Sequence, residues 1–256
     1  MTRPDRPDTS HRTDRTDKEE PVMEFMLDTA DVARIRDLNE LITVAGVTTN
    51  PTILTKSGRM PEDVLPEIIS ILSPEQKLFV QVVKTDYEGI MEEARKISAM
   101  RPENMYVKIP VSRDGLKALK QCRREGIKTL ATAIYTPAQG FLAAQNGANY
   151  LAPYTNRMCN YGDGVAEVLK LNRMIKENGL DTKVIAASFK NVGQVSELIE
   201  NGIGAVTVPA DVVYEMINHP ATRIAVGEFC VNWNKAYMRD TLFDESEDIE
   251  DKLTEE

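Results

Sequence analysis

Histidine is almost missing from this chain: its 256 residues contain two, His11 in a charged leader and His219 directly before Pro220. A Ser-His-Asp triad or a multi-histidine zinc site would have to be built from these two, which sets both chemistries aside and leaves lysine, tyrosine and carboxylates. Neither a metal nor a cofactor is expected. Cysteine is scarce as well. Cys122, Cys159 and Cys230 show no CxxC spacing and three thiols cannot all pair, so reduced cysteines in a cytoplasmic protein are expected. No apolar run approaches the roughly 18 residues of a membrane span. The first 20 residues are charged and lack the apolar stretch of a secretory signal.

Positive charge is also thin. The net charge is -9, and residues 241–256 supply most of it, with eight acidic side chains against Lys252. Residues 1–20 carry six acidic against five basic side chains, which leaves the middle of the chain near -1. There is no polybasic stripe for nucleic acid or an anionic membrane, so neither is expected as a partner. Residues 1–21 have no apolar periodicity and read as a disordered leader, and 241–256 as an acidic tail.

Between these ends the pattern is regular. Short β-branched or apolar runs alternate eight times with amphipathic stretches of helical length. The runs are Glu24–Asp28, Ala45–Thr49, Leu78–Val83, Met105–Pro110, Thr129–Tyr135, Tyr150–Tyr154, Lys183–Ser188 and Ala205–Pro209. In the first helix Asp31 is the expected cap, with Val32, Ile35, Leu38 and Leu41–Ile42 on one face. Later helices centre on 61–72, 86–99, 114–125, 137–146, 163–178, 191–201 and 210–217, with Gly126, Gly147, Gly179 and Gly202 as stops. Eight β-then-α units in about 190 residues predict an α/β fold, a single (β/α)8 TIM barrel over 22–221. A further C-terminal helix carrying Trp233 is expected over 222–240. A doubly wound dinucleotide fold would need a Gly-rich turn after the first strand, where Thr29-Ala30-Asp31 stands instead.

In a barrel the C-terminal strand ends converge on one mouth. Read in order, those ends give Asp28, Thr48 with Asn50, Gln81, Lys108, Thr132, Tyr154 with Arg157, and Ser188 with Lys190. A purely structural barrel would carry Val, Ile or Leu at most of these positions. Lys108, between Val107 and Ile109, reads as a desolvated amine whose lowered pKa frees a nucleophile for a carbonyl; Arg157 nearby is expected to push the same way. A snorkelling lysine at a strand edge is the bland alternative. Lys56, Lys84 and Lys190 are weaker candidates because they fall in or near loops. Arg157, Ser188 and the amides near Lys190 form a candidate anion site.

At these residues the chain resembles the fructose-6-phosphate aldolase and small transaldolase family. The resemblance spans about residues 23–237. It is carried by Leu-Asp-Thr-Ala-Asp (27–31), Ala-Gly-Val-Thr-Thr-Asn-Pro-Thr (45–52), Val-Lys-Ile-Pro (107–110), Ala-Pro-Tyr-Thr-Asn-Arg (152–157) and Ala-Ala-Ser-Phe-Lys (186–190). It implies a class I aldolase in which Lys108 forms an imine with the donor. Asp28 and Asn50 would lie beside that carbon, and Tyr154 would be the acid/base with a water held by Gln81 and Thr132. Arg157 and Ser188 would hold the phosphate, and Thr48 joins Asn50 as an expected substrate contact. Transaldolases resemble one another in having Glu at position 81 and Phe at 154; this chain has Gln and Tyr, the aldolase choice. Cleavage of fructose 6-phosphate to dihydroxyacetone and glyceraldehyde 3-phosphate is the implied reaction, with transaldolase as the alternative. A phosphosugar isomerase or other non-imine barrel enzyme would leave no reducible adduct, and a non-catalytic sugar-phosphate binder or scaffold would show binding without turnover. The family's ring-shaped homo-oligomers imply a pentamer or decamer, with the helix around Trp233 on a neighbour.

Overall fold

The structure, a computed structural model, describes residues 23–243. The leader over 1–21 and all but the first three residues of the acidic tail lie outside the described residues. Eight strands pair in parallel and in chain order: β1 (Glu24–Asp28), β2 (Gly46–Thr48), β3 (Lys77–Gln81), β4 (Met105–Pro110), β5 (Thr129–Ile134), β6 (Tyr150–Pro153), β7 (Lys183–Ala186) and β8 (Ala205–Val208). β8 pairs back onto β1, Phe25 beside Val206, and closes the barrel. The fold is a (β/α)8 TIM barrel.

Eleven helices are described. α1 (Val32–Leu41), α2 (Pro51–Lys56), α3 (Pro61–Ile71), α4 (Tyr87–Ser98), α5 (Arg113–Glu125) and α6 (Pro137–Gln145) follow the first five strands. α7 (Thr155–Met158), α8 (Gly164–Glu177), α9 (Val192–Glu200), α10 (Ala210–Ile217) and α11 (Pro220–Tyr237) complete the chain. Asp31 does cap α1, accepting from Ala33 N at 3.1 Å and Arg34 N at 3.2 Å, and so leaves Asp28 to the barrel. The α5 stop at Gly126 has φ of 72°, a left-handed cap that a Cβ would disfavour. Gly147, Gly179 and Gly202 also have positive φ just past their helices.

Several expectations need correction. Leu41, assigned to the buried face of α1, is exposed; Ile35 and Leu38 alone are fully buried there. The third strand stops at Gln81 rather than Val83, because the Glu93 carboxylate takes the N–H groups of Val83 and Lys84 and draws the chain off the sheet. The seventh strand stops at Ala186, since Ser188 turns into the left-handed region with φ of 64°. α2 and α7, of six and four residues, were invisible to periodicity because neither completes two turns. α11 runs two residues earlier than expected: Pro220 takes its first position, and His219 Nδ1 accepts from Ala221 N at 3.3 Å. It ends at Tyr237, with Met238 left-handed behind it.

Two apolar layers hold the barrel. One lies between sheet and helices. The other fills the interior and is built by strand alternation from Met26, Phe79, Tyr106, Leu130, Tyr150 and Ile185. Phe79 stacks on Tyr106 at 4.7 Å between centroids, and Tyr150 meets both edge-on at 5.3 and 5.2 Å. Below this plug Glu24 accepts from the Tyr150 hydroxyl at 2.8 Å and from Lys183, which closes the barrel floor with polar groups. α11 is different: it buries none of its residues, and Ile224, Phe229 and Val231 are exposed. No described helix is long and apolar enough to cross a membrane.

Gly46 shows how tightly the strands meet. A Cβ there would lie 2.2 Å from the Lys77 carbonyl oxygen, inside the backbone of β3. Gly46→Ala must therefore spread β2 from β3, at a cost of about 1–3 kcal/mol. Its urea unfolding midpoint should fall below wild type; an unchanged midpoint would show that the strands separate freely there.

Candidate active site

Counting two residues onward from the interior plug places each candidate. Met26 leads to Asp28, Phe79 to Gln81, Tyr106 to Lys108, Leu130 to Thr132 and Ala152 to Tyr154. The polar groups thus sit one layer above a dry floor. Asp28, Asn50, Gln81, Lys108, Tyr154, Arg157 and Ser188 line one cavity of about 440 Å³. Thr48 and Thr132 do not line it; both are fully buried behind it. A larger groove of about 810 Å³ runs along the outer side of Asp28 beside Arg34 and Arg59, and of the candidates it shares only Asp28 and the weaker candidate Lys56 with the cavity.

Lys108 is 4% exposed between the fully buried Val107 and Ile109. Burial pushes its pKa down, and the charge of Asp28 works against that shift. The snorkelling alternative is gone, because the amine points into the barrel. Arg157 does not act on Lys108 as expected. Its guanidinium lies 4.8 Å from the Tyr154 ring centre and donates to the Tyr135 hydroxyl at 3.3 Å, farther up the mouth.

Burial raises the Asp28 pKa, while Lys108 and the Thr48 hydroxyl pull it back. Thr48 Oγ1 donates to Asp28 Oδ1 at 2.7 Å, so Thr48 supports the carboxylate and does not face the cavity. Burial likewise raises the Tyr154 phenol, against Thr132 and Arg157. Thr132 Oγ1 donates to the phenol oxygen at 3.2 Å, which leaves the phenol's own proton free for the cavity. Regular pairing of β5 breaks just past Thr132, at a bulge where Ala133 has φ of 56°. Gln81 Oε1 is buried with no hydrogen-bond partner among the described residues, an acceptor open to whatever fills the cavity.

Asn50 has two tasks. Its Oδ1 caps α2 by accepting from Ile53 N at 3.0 Å, so its amide nitrogen remains for the cavity. Ser188 keeps a left-handed backbone, tied by Asn156 N donating to its carbonyl at 3.2 Å. The Lys190 N–H, expected to help bind an anion, is already taken by Gln194 Oε1 at 3.1 Å. The cationic rim is therefore made of the Arg157, Lys190 and Lys56 side chains. Sequence reasoning missed Asn156 in the cavity wall and Tyr135 behind Arg157. Asn156 stands inside the 152–157 motif; nothing in the sequence marks Tyr135 as a partner of Arg157. Among the described residues no three His, Cys, Asp or Glu side chains cluster as a metal site would need.

The arrangement supplies an amine of depressed pKa, a carboxyl and a phenol that can move protons, an open amide acceptor and a cationic rim. Attack on a carbonyl requires the neutral amine, and an exposed lysine is neutral only near its pKa of about 10.4. Trapping of a small ketone by cyanoborohydride should therefore proceed at Lys108 at neutral pH and fade as pH drops. Removing the Asp28 charge takes away the one influence that raises the Lys108 pKa. In Asp28→Asn the loss of trapping should accordingly move to lower pH; a shift upward, or no shift, would contradict the pairing.

The family model described as transaldolase/fructose-6-phosphate aldolase matches residues 25–255. The barrel is similar to a protein assigned as a fructose-1,6-biphosphate aldolase from Coccidioides immitis, at 16% identity and TM-score 0.50 over 78% of this chain and 81% of that one. It is similar to a native KDPGal structure, at 13% identity and TM-score 0.50 over 74% and 82%. A chain of the BexX/CysO complex of Amycolatopsis orientalis aligns at 16% identity and TM-score 0.53 over 76% and 82%. At these identities the solved structures speak for the fold alone; the family model covers the barrel, the motifs and α11 in one match. The chain belongs to the transaldolase/fructose-6-phosphate aldolase family.

Proposed function

We propose that this protein is a cytoplasmic class I aldolase that reversibly cleaves fructose 6-phosphate to dihydroxyacetone and glyceraldehyde 3-phosphate. The observation that carries the reading is Lys108, buried on β4 with Asp28 and Tyr154 in the same cavity wall. The neutral amine attacks the ketose C2, and loss of water gives the iminium. Removal of the proton from the C4 hydroxyl breaks the C3–C4 bond; its electron pair enters the iminium as an enamine, and the phosphorylated aldehyde leaves. Tyr154, aligned by the Thr132 hydroxyl, exchanges that proton, directly or through a water held at Gln81. Protonation of the enamine at C3 and addition of water release dihydroxyacetone and restore Lys108. Asn50 meets a donor hydroxyl, and Arg157, Ser188 and Lys190 hold the phosphate at the far end.

Gln81 and Tyr154 favour release over transfer. A neutral amide and a phenol position water at the enamine without a carboxylate competing for the proton. Glutamate at 81 would change how that water is polarised, and phenylalanine at 154 would remove the donor. Borohydride with dihydroxyacetone should inactivate the enzyme and mark Lys108, and Lys108→Met should abolish both effects. Tyr154→Phe should lower cleavage about 10²–10⁴-fold, the usual loss for a general acid/base. Adding Gln81→Glu should raise the ratio of transfer to cleavage with erythrose 4-phosphate as acceptor. An adduct on another lysine would remove the mechanism; a wild type that transfers far faster than it cleaves would make the protein a transaldolase.

The same reading includes a ring-shaped homo-oligomer, a pentamer or decamer, with α11 packed on a neighbouring copy. Support comes from α11 itself, an 18-residue helix that buries nothing on its own barrel and exposes Ile224, Phe229 and Val231. Phe229→Asp should shift the mass measured by sedimentation towards the monomer. An assembly of unchanged mass would place the contact elsewhere.

A further inference from the structure

The Asp28 carboxyl is held from beneath by two side chains that do not line the cavity. Thr48 Oγ1 donates to Asp28 Oδ1 at 2.7 Å and lies 2.7 Å from Thr207 Oγ1. Thr48 is fully buried and Thr207 is 2% exposed. They come from either side of β1, since Asp28 pairs with Thr48 of β2 while Thr207 of β8 pairs with Met26, and Thr207 meets Asp28 only through Thr48.

A hydroxyl carries one hydrogen. Thr48 gives its hydrogen to Asp28, so Thr207 must be the donor in the second bond. The order is Thr207 to Thr48 to Asp28. Reversing it would leave the Thr207 hydrogen buried with no acceptor among the described residues, and such a group is costly. Oδ1 is thereby committed as an acceptor. A proton on Asp28 must then sit on Oδ2, the oxygen left to the cavity that Asp28 lines.

We propose that Thr207 is a positioning residue: acting through Thr48, it holds Asp28 Oδ1 as a permanent acceptor, so that the carboxyl exchanges protons with substrate only at Oδ2. The proposal rests on the reading of Asp28 as the proton-exchanging group beside the Lys108 imine. When the carbinolamine on Lys108 loses water, the Oδ2 proton goes to the departing hydroxyl. The C–O bond breaks, the nitrogen lone pair forms the C=N bond, and Asp28 is left as a carboxylate. Thr48, itself backed by the Thr207 hydroxyl, stabilises that carboxylate. Packing alone does not call for a hydroxyl here. The flanking β8 residues, Val206 and Val208, are buried valines of nearly the same shape.

Thr207→Val and Thr207→Ser separate the hydroxyl from the packing. The kcat profile reports the substrate-bound enzyme, in which the Lys108 nitrogen is already bonded to substrate; loss of water needs the Asp28 proton, so the limb on which kcat falls as pH rises follows the carboxyl. Thr207→Val weakens the donor chain and favours the protonated form. The limb should move to higher pH by about half a unit, and kcat should fall about tenfold as the carboxyl loses its fixed orientation. KM and the urea midpoint should stay near wild type, and Thr207→Ser should restore both kcat and the profile. Equal losses in Val and Ser, or a valine variant with wild-type kcat and limb, would overturn the proposal. Asp28→Asn serves as the reference. If it loses turnover while Thr207→Val does not, the positioning role alone fails. If Asp28→Asn turns over like wild type, the reading of Asp28 falls and takes the proposal with it.

Discussion

The attraction between Lys108 and Asp28 acts across the inside of a closed barrel, where burial works against the charge on both. Each group alone would shed its charge there, the amine by losing a proton and the carboxyl by gaining one. Side by side, each offsets part of the other's burial, though burial remains the larger influence on both. The surrounding structure keeps the pair in place. The aromatic plug of Phe79, Tyr106 and Tyr150 denies water from below. Thr48 steadies the carboxylate, and burial raises the Tyr154 pKa against the pull of Thr132 and Arg157.

Strand alternation places these groups together. Each strand contributes an apolar side chain to the plug and, two residues later, a polar one to the layer above it. Precision comes from local devices at the strand ends. Asn50 orients itself by capping α2, Ser188 is held in a strained backbone by Asn156, and a bulge interrupts the pairing of β5 with β6 just after Thr132. Side chains fixed by backbone bonds lose little further freedom when a ligand arrives.

Much of this was legible beforehand, for reasons that can be named. β1 and β4 have the expected bounds because Asp28 and Pro110 end them in sequence as well as in space. The candidate ring was legible because polar residues at strand ends are anomalous in a barrel. Orientation was not. A list of strand-end residues does not separate Asp28, which lines the cavity, from Thr48 beneath it, and Thr207 was hidden as one more β-branched residue in a strand. Loop geometry escaped for the same reason. The side chains that remove Val83 from its strand and occupy the Lys190 N–H come from helices four to ten residues further on, Glu93 and Gln194. Leu41 follows the helical period yet faces solvent, because period gives a direction without saying how far the neighbouring layer extends.

The bonds beneath Asp28 join β8 to β2 over β1, so they straddle the seam where the two ends of the barrel sheet meet. That seam pairs Glu24 with Ala205 and is among the most distant contacts in the chain. While the protein is being made, Lys108 emerges about a hundred residues before Thr207 does. An incomplete chain thus carries the amine without the oriented carboxyl beside it. In the aldolase proposed here, reactivity at Lys108 arrives with closure of the barrel, and a half-made molecule has no preorganised means of capturing the carbonyl compounds around it.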